Sequence, residues 1–209
     1  MKKVHLLNDG GYLEVFTGPM KCGKSHKIHA IADELNHRTD IDYKLFKPKI
    51  DDRSEGLKSR FSGESIDCIP IDTPDEIENH LTNEQLVGID EAQFFDVSFI
   101  EVVESLLEKD LHIIIAGLDL DFRGEPFGPM PLLLSIADEV HKLHSVCDYD
   151  GCNEMARYTQ RLVNDKPARY DEPTVSVEGD KTKERYEARC LKHHKVPAKP
   201  SDHLQRILK

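Results

Sequence analysis

Three groups of residues in this chain have the types and spacing to do chemistry. The first is Gly18-Pro19-Met20-Lys21-Cys22-Gly23-Lys24-Ser25, which matches G-x-x-x-x-G-K-[ST] without a mismatch. Glycine lets the backbone curl so that successive N–H groups converge on phosphate oxygens. A helix starting near Ser25 aims the positive end of its dipole at the same place. Lys24 can then reach the β- and γ-phosphates, and the Ser25 hydroxyl can ligate Mg²⁺. The pattern predicts a site for Mg·ATP or Mg·GTP along residues 18–25. Cys22 reads as a small packing residue rather than a redox switch.

The second group is the acid pair in GIDEAQFF. Asp90 ends an apolar run and can hold the Mg²⁺ ion through water. Glu91 follows at the carboxyl edge of the strand, where α/β folds place their chemistry. A carboxylate there can take a proton from an attacking hydroxyl or water. The third group is Cys147-x4-Cys152 with Cys190-x2-His193, four soft or borderline ligands in two pairs. They suit a closed, structural Zn²⁺ site, with His194 as a rival fourth ligand.

These groups need elements to position them. LEVFT (13–17), YKLFKP (43–48), SIDCIPI, QLVGID (85–90) and HIIIAGL (112–118) read as strands. Ile28, Ile31, Ala32 and Leu35 share one helical face, as do Phe99, Val103, Leu106 and Leu107. TPDEIENHL reads as a helix capped by Thr73 with Pro74 in its first turn, and PLLLSIADEV as a further helix. Fully apolar strands alternating with helices predict an α/β fold with a parallel sheet. The composition shifts near Val146. Residues 1–146 are expected to form the nucleotide-binding α/β domain, and 147–209 a zinc-binding domain with a C-terminal tail. A hydrophilic, hairpin-like stretch between the metal pairs suits closure over a small substrate.

The chain has 209 residues, 38% hydrophobic and 32% charged, with a net charge of −11. That supports a folded core and argues against general binding to nucleic acid or anionic membrane. No run of about 18 apolar residues suggests a membrane span, and the N-terminus does not read as a secretory signal. The expectation is a cytoplasmic protein. Five cysteines in an uneven set argue against a disulfide framework.

With these residues in view, the chain resembles the type II thymidine kinases, the small zinc-containing P-loop family. The resemblance rests on TGPMKCGKS, KPKIDDR, GIDEAQFF, AGLDLDFRGEPFGPMPLLLSIAD, ARYTQRL and the segment from Tyr186 to His193. It implies a RecA-like P-loop core, its parallel sheet flanked by helices, plus a small zinc-bound lasso domain. It also implies transfer of the γ-phosphate of ATP to the 5′-hydroxyl of thymidine, in pyrimidine deoxynucleoside salvage. Glu91 would be the general base and Arg53 would neutralise the transferring phosphoryl group. Phe94 would stack on the pyrimidine, with Met20, Leu118, Phe122 and Phe127 shaping the pocket. Thr159, Val177, Gly179 and Tyr186 match the loop that holds the base, largely through main-chain groups. A homotetramer and feedback inhibition by thymidine triphosphate are further implications.

Two other classes fit parts of the pattern. A RecA-like ATPase or zinc-ribbon module acting on nucleic acid would need basic and aromatic clusters that the sequence lacks. A nucleotide-binding switch would bind ATP and form no product.

Overall fold

A computed structural model of the chain describes residues 10–36, 41–49, 57–58, 65–66, 68–174 and 184–202. Strand β1 (Tyr12–Thr17) leads through the glycine loop into helix α1 (Lys24–Asn36). Strand β2 (Tyr43–Pro48), the short β3 (Leu57–Lys58) and β4 (Ser65–Ile66), and β5 (Ile69–Ile71) follow. Then come α2 (Glu76–His80), β6 (Leu86–Ile89), a 3-10 turn over Ala92–Phe94, α3 (Phe99–Glu108) and β7 (His112–Gly117). Helix α4 (Met130–Ile136) precedes β8 (Glu139–Lys142).

The main sheet has six strands in the order β5-β2-β6-β7-β1-β8. β5, β2, β6, β7 and β1 run parallel, with Tyr12 opposite His112 and Leu86 opposite the same residue from the other side. The central strands β6 and β7 are buried along their whole length, which is why VGI and IIIA carry no alternation. Helix α3 covers the sheet with Phe99, Val102, Val103 and Leu106, all buried. Helix α1 turns Ile28, Ala32 and Leu35 inward. One strand, β7, separates the strand feeding the glycine loop from the strand ending at Asp90. This is the RecA-like order, and it sets the carboxyl ends of β1 and β6 two strand spacings apart, about 10 Å.

Two local expectations are corrected. Thr73 does not cap α2. The helix starts at Glu76 with Asp75 at its N-cap and no side-chain cap bond. Residues 73–77 instead make tight turns, and the Glu76 carboxylate reaches back to accept the N–H groups of Asp72 and Thr73 at 2.9 and 3.0 Å. Nor does PLLLSIADEV stay helical to its end. The chain becomes extended at Ala137, and Asp138 exchanges hydrogen bonds with the backbone of Leu13, donating its own N–H and accepting the N–H of Leu13 on Oδ2. Glu139–Lys142 then lies beside β1 as an edge strand of alternating burial.

The chain divides into two compact units interleaved in sequence. One comprises residues up to 17, 24–117 and 128–141, and holds most of the sheet and its helices. The other comprises residues 18–23, 118–127 and 142 onward. In it β9 (Ser145–Val146) pairs with β10 (Met155–Ala156), and β11 (Tyr158–Val163) pairs antiparallel with both β12 (Lys166–Pro167) and β13 (Glu184–Arg189). The hairpin expected between the metal pairs is therefore present over its described residues. Among the described residues no helix is long and apolar enough to cross a membrane.

Candidate active site and metal centre

The glycine loop has the backbone that its sequence calls for. Gly18 has φ +137°, and a Cβ there would stand 2.2 Å from the Leu143 carbonyl oxygen. Gly23 has φ +91° with no heavy atom within 4 Å of where a Cβ would point. The second position needs glycine for its conformation alone, and it leaves open space beside a curled backbone. Lys21 also has a positive φ, 63°. The N–H of Met20 donates to Thr159 Oγ1 at 3.0 Å, so Thr159 is engaged with the glycine loop by its hydroxyl. Pro19 is buried, Cys22 half-buried and Lys24 buried at the first position of α1. Ser25, half-buried, follows in the first turn.

At the end of β6, Asp90 is buried and its N–H donates to Phe46 at 3.0 Å. Its Oδ1 accepts the N–H of Glu91 at 2.9 Å. Glu91 has φ 54° and ψ 35°, a left-handed backbone. For a residue with a Cβ this costs on the order of 1–3 kcal/mol, and such strain clusters at functional sites. The half-buried carboxylate is held by Gln93, whose side-chain amide donates to Glu91 Oε2. Gln93 itself is 1% exposed. Sequence reasoning missed Gln93. Its only signal was a polar residue two places after the acid in an apolar run.

Phe94 lies half-buried in the 3-10 turn after Glu91. In the second unit Leu118 and Phe127 are half-buried, and the Phe127 N–H donates to Asp119 at 3.1 Å. Phe122 is buried, with the guanidinium groups of Arg123 and Arg161 over its ring at 5.4 and 5.5 Å. Asp121 organises this loop by accepting the N–H groups of Arg123 and Glu125. Burial raises the Asp121 carboxyl above the usual range, against those two N–H bonds and the Arg123 charge, which lower it. Tyr186 is half-buried on β13, opposite Arg161. Arg161, 3% exposed, was not anticipated. It donates to the Pro173 carbonyl at 2.7 Å and to Glu184 Oε1 at 2.8 Å, gripping the chain on both sides of residues 175–183. Arg53, Val177 and Gly179 lie outside the described residues.

The cysteine region forms a compact donor set. The ligand atoms of Cys147, Cys152, Cys190 and His193 all lie within 4.8 Å of one another. His193 Nδ1 is 3.3 Å from Cys190 Sγ and 3.7 Å from Cys147 Sγ, and Cys152 Sγ is 4.0 Å from Cys190 Sγ. A tetrahedral zinc with Zn–S bonds of about 2.3 Å has S···S edges of about 3.8 Å, so the spacing fits one ion. Four residues between the first two cysteines are accommodated by a turn: Gly151 has φ +71°, and the Cys152 N–H donates to the Tyr149 carbonyl at 2.9 Å. Burial pushes the Cys147 thiol up, but the N–H groups of Cys190 and Tyr149, with His193 and Cys190 beside it, bring it down to about 6. A thiolate is the form a metal takes. His194 is not part of the cluster. Its Nε2 bonds the Phe122 carbonyl at 2.9 Å, and its ring stacks on Tyr158.

The family model for thymidine kinase matches residues 11–194. The chain belongs to the thymidine kinase family. It is 44% identical over 200 residues to the thymidine kinase of Coprothermobacter proteolyticus, covering 94% of this chain and 96% of that one. The thymidine kinase match takes in the glycine loop, the acid pair and all four clustered metal-ligand candidates.

Proposed function

We propose that this enzyme transfers the γ-phosphate of ATP to the 5′-hydroxyl of thymidine. The observation that carries this reading, beside family membership, is the Glu91 carboxylate on a strained left-handed backbone, oriented by the buried Gln93. Glu91 takes the proton of the 5′-hydroxyl as that oxygen attacks the γ-phosphorus. The bond to the β,γ-bridging oxygen breaks, ADP leaves and thymidine monophosphate forms. Main-chain N–H groups of residues 18–25 and the Lys24 ammonium bind the phosphates and offset the charge that builds there. Ser25 and Asp90 would hold Mg²⁺, which supplies charge neutralisation on the β- and γ-oxygens. Arg53 would assist at the transferring group.

Phe94 would stack on the base, with Leu118, Phe122, Phe127 and Tyr186 shaping its pocket. Thr159, Val177 and Gly179 would complete the loop around it. Of these, Phe122 is buried under two guanidinium groups, so its part is to support the pocket wall. Cys147, Cys152, Cys190 and His193 would hold a structural Zn²⁺. The same reading extends to a cytoplasmic homotetramer, a role in nucleoside salvage and inhibition by thymidine triphosphate. The direct test incubates labelled thymidine with Mg·ATP and separates the products. Labelled thymidine monophosphate supports the proposal; ATP hydrolysis with no labelled product overturns it.

A further inference from the structure

Away from the glycine loop, three neighbouring strands gather four ligand-type side chains on one sheet face. β7, β1 and β8 lie side by side. His112 comes from the first, Glu14 from the second, and Glu139 and His141 from the third. The two-residue step between Glu139 and His141 keeps both on one face of a strand. His141 Nε2 is 2.6 Å from Glu14 Oε1 and 3.5 Å from Glu139 Oε1. His112 Nε2 is 3.8 Å from Glu14 Oε2, too far for a hydrogen bond. The ligand atoms of Glu14, Glu139 and His141 all fall within 4.8 Å of one another.

A second observation points into the same space. The His112 side chain is 8% exposed, and neither of its ring nitrogens has a hydrogen-bond partner among the described residues. A buried imidazole nitrogen left so is costly, and a bound group would satisfy it. Tyr12 adds orientation: its hydroxyl donates to Glu139 Oε2 at 3.2 Å, and its ring meets His112 edge-on. The Phe16 ring stacks on His141.

We propose that Glu14, Glu139, His141 and His112 form a second divalent-cation site, of the Zn²⁺ class. Two imidazoles and two carboxylates are the mixed nitrogen–oxygen set that such ions accept, whereas Mg²⁺ and Ca²⁺ favour oxygen alone. The 3.5 and 3.8 Å separations lie near the edge of about 3.4 Å expected for metal–ligand bonds of about 2.1 Å, while the 2.6 Å pair of His141 and Glu14 must open to admit the ion and His112, outside the close group of three, must turn toward it. His141 Nε2 faces Glu14 Oε1, and binding the ion there requires that nitrogen to be free of a proton. Entry is open, because His141 and Glu139 are 32% and 36% exposed while Glu14 and His112 sit beneath at 15% and 8%. Beside the group, burial first and then the hydrogen bond to Glu139 raise the Tyr12 hydroxyl above its ordinary value. Occupation would fasten the edge strand β8 to β1 and β7.

The test uses full-length protein whose cysteine-site zinc has been counted by elemental analysis. Titration with Zn²⁺ is expected to load one further ion per chain and to raise the melting temperature. His141→Gln and His112→Gln should each weaken that second binding at least about tenfold, leaving the first ion in place. No second ion, or equal binding by both variants, would overturn the proposal. Wild-type crystals soaked in Zn²⁺ give a test without substitution: an anomalous peak among these four side chains supports it, and a peak at the cysteine cluster alone refutes it.

Discussion

Lys21 Nζ lies 2.9 Å from Asp148 Oδ2. The same carboxylate oxygen accepts the N–H of Ala188 at 2.8 Å, and Asp148 directly follows Cys147. The glycine loop is thus joined by one ion pair to the turn that carries two of the clustered cysteines.

Asp148→Asn removes the charge and keeps an acceptor for Ala188. Lys21 is 53% and Asp148 33% exposed, so solvent screens the pair and it is worth about 0.2–1 kcal/mol. The KM for ATP should rise no more than about fivefold with kcat little changed. A rise far beyond that in steady-state kinetics would place Asp148 in the nucleotide site itself.

Gly23→Ala tests the loop's backbone. The new methyl meets no atom, so the protein should fold. Holding φ near +91° then costs about 1–2 kcal/mol, and relaxing it turns N–H groups away from the phosphates. ATP affinity, read by calorimetry, should drop by about tenfold or more, with little loss of melting temperature. Unchanged affinity would contradict the cradle.

The metal cluster predicts zinc-dependent folding of the second unit. Among the described residues the apolar cluster around the cysteines is Cys147, Ala156, Ala188 and Cys190 with Cys152, too little apolar surface to replace a metal there. Cys190→Ser should lose the zinc of that site and several degrees of melting temperature, and a chelator should do the same to the wild type. A zinc-free protein that melts normally would refute this.

Glu84 sets one acid limit on stability. Burial pushes its carboxyl up, but the Lys44 ammonium at 2.6 Å, the Thr82 N–H, its own N–H and the Thr82 hydroxyl outweigh burial and hold it at about 2. The depressed group stabilises the fold above its unfolded value near 4.5, and that stability fades as pH falls toward 2. Glu84→Gln should therefore cost stability at pH 6 and progressively less below pH 4, measured by urea unfolding at each pH. An equal cost at every pH would exclude the ionisation.

Much of this was legible because short sequence runs specify local backbone. YKLFKP is β2 from Tyr43 to Pro48, and HIIIAG is β7. The glycine loop and the cysteine cluster follow from spacing alone, since their residues act across one or two turns. Features made by strand neighbours were not legible. His112 and His141 come near Glu14 only because β7 and β8 flank β1, an order absent from the sequence. Glu139 and Val140 joined the preceding helical pattern because nothing local announced that Asp138 would bond to Leu13. Gln93 and Arg161 act through partners fixed by tertiary structure, and polar residues in a buried run give no sign of which partner they will find.

The central claim is that Glu91 removes the proton from the thymidine 5′-hydroxyl. Glu91→Gln keeps the shape and removes the base. Steady-state phosphorylation with Mg·ATP, set beside thymidine binding by calorimetry, separates the two roles. In that variant kcat should fall by about 10²–10⁴ with thymidine affinity within about threefold of wild type. Near-normal kcat in that variant would contradict it.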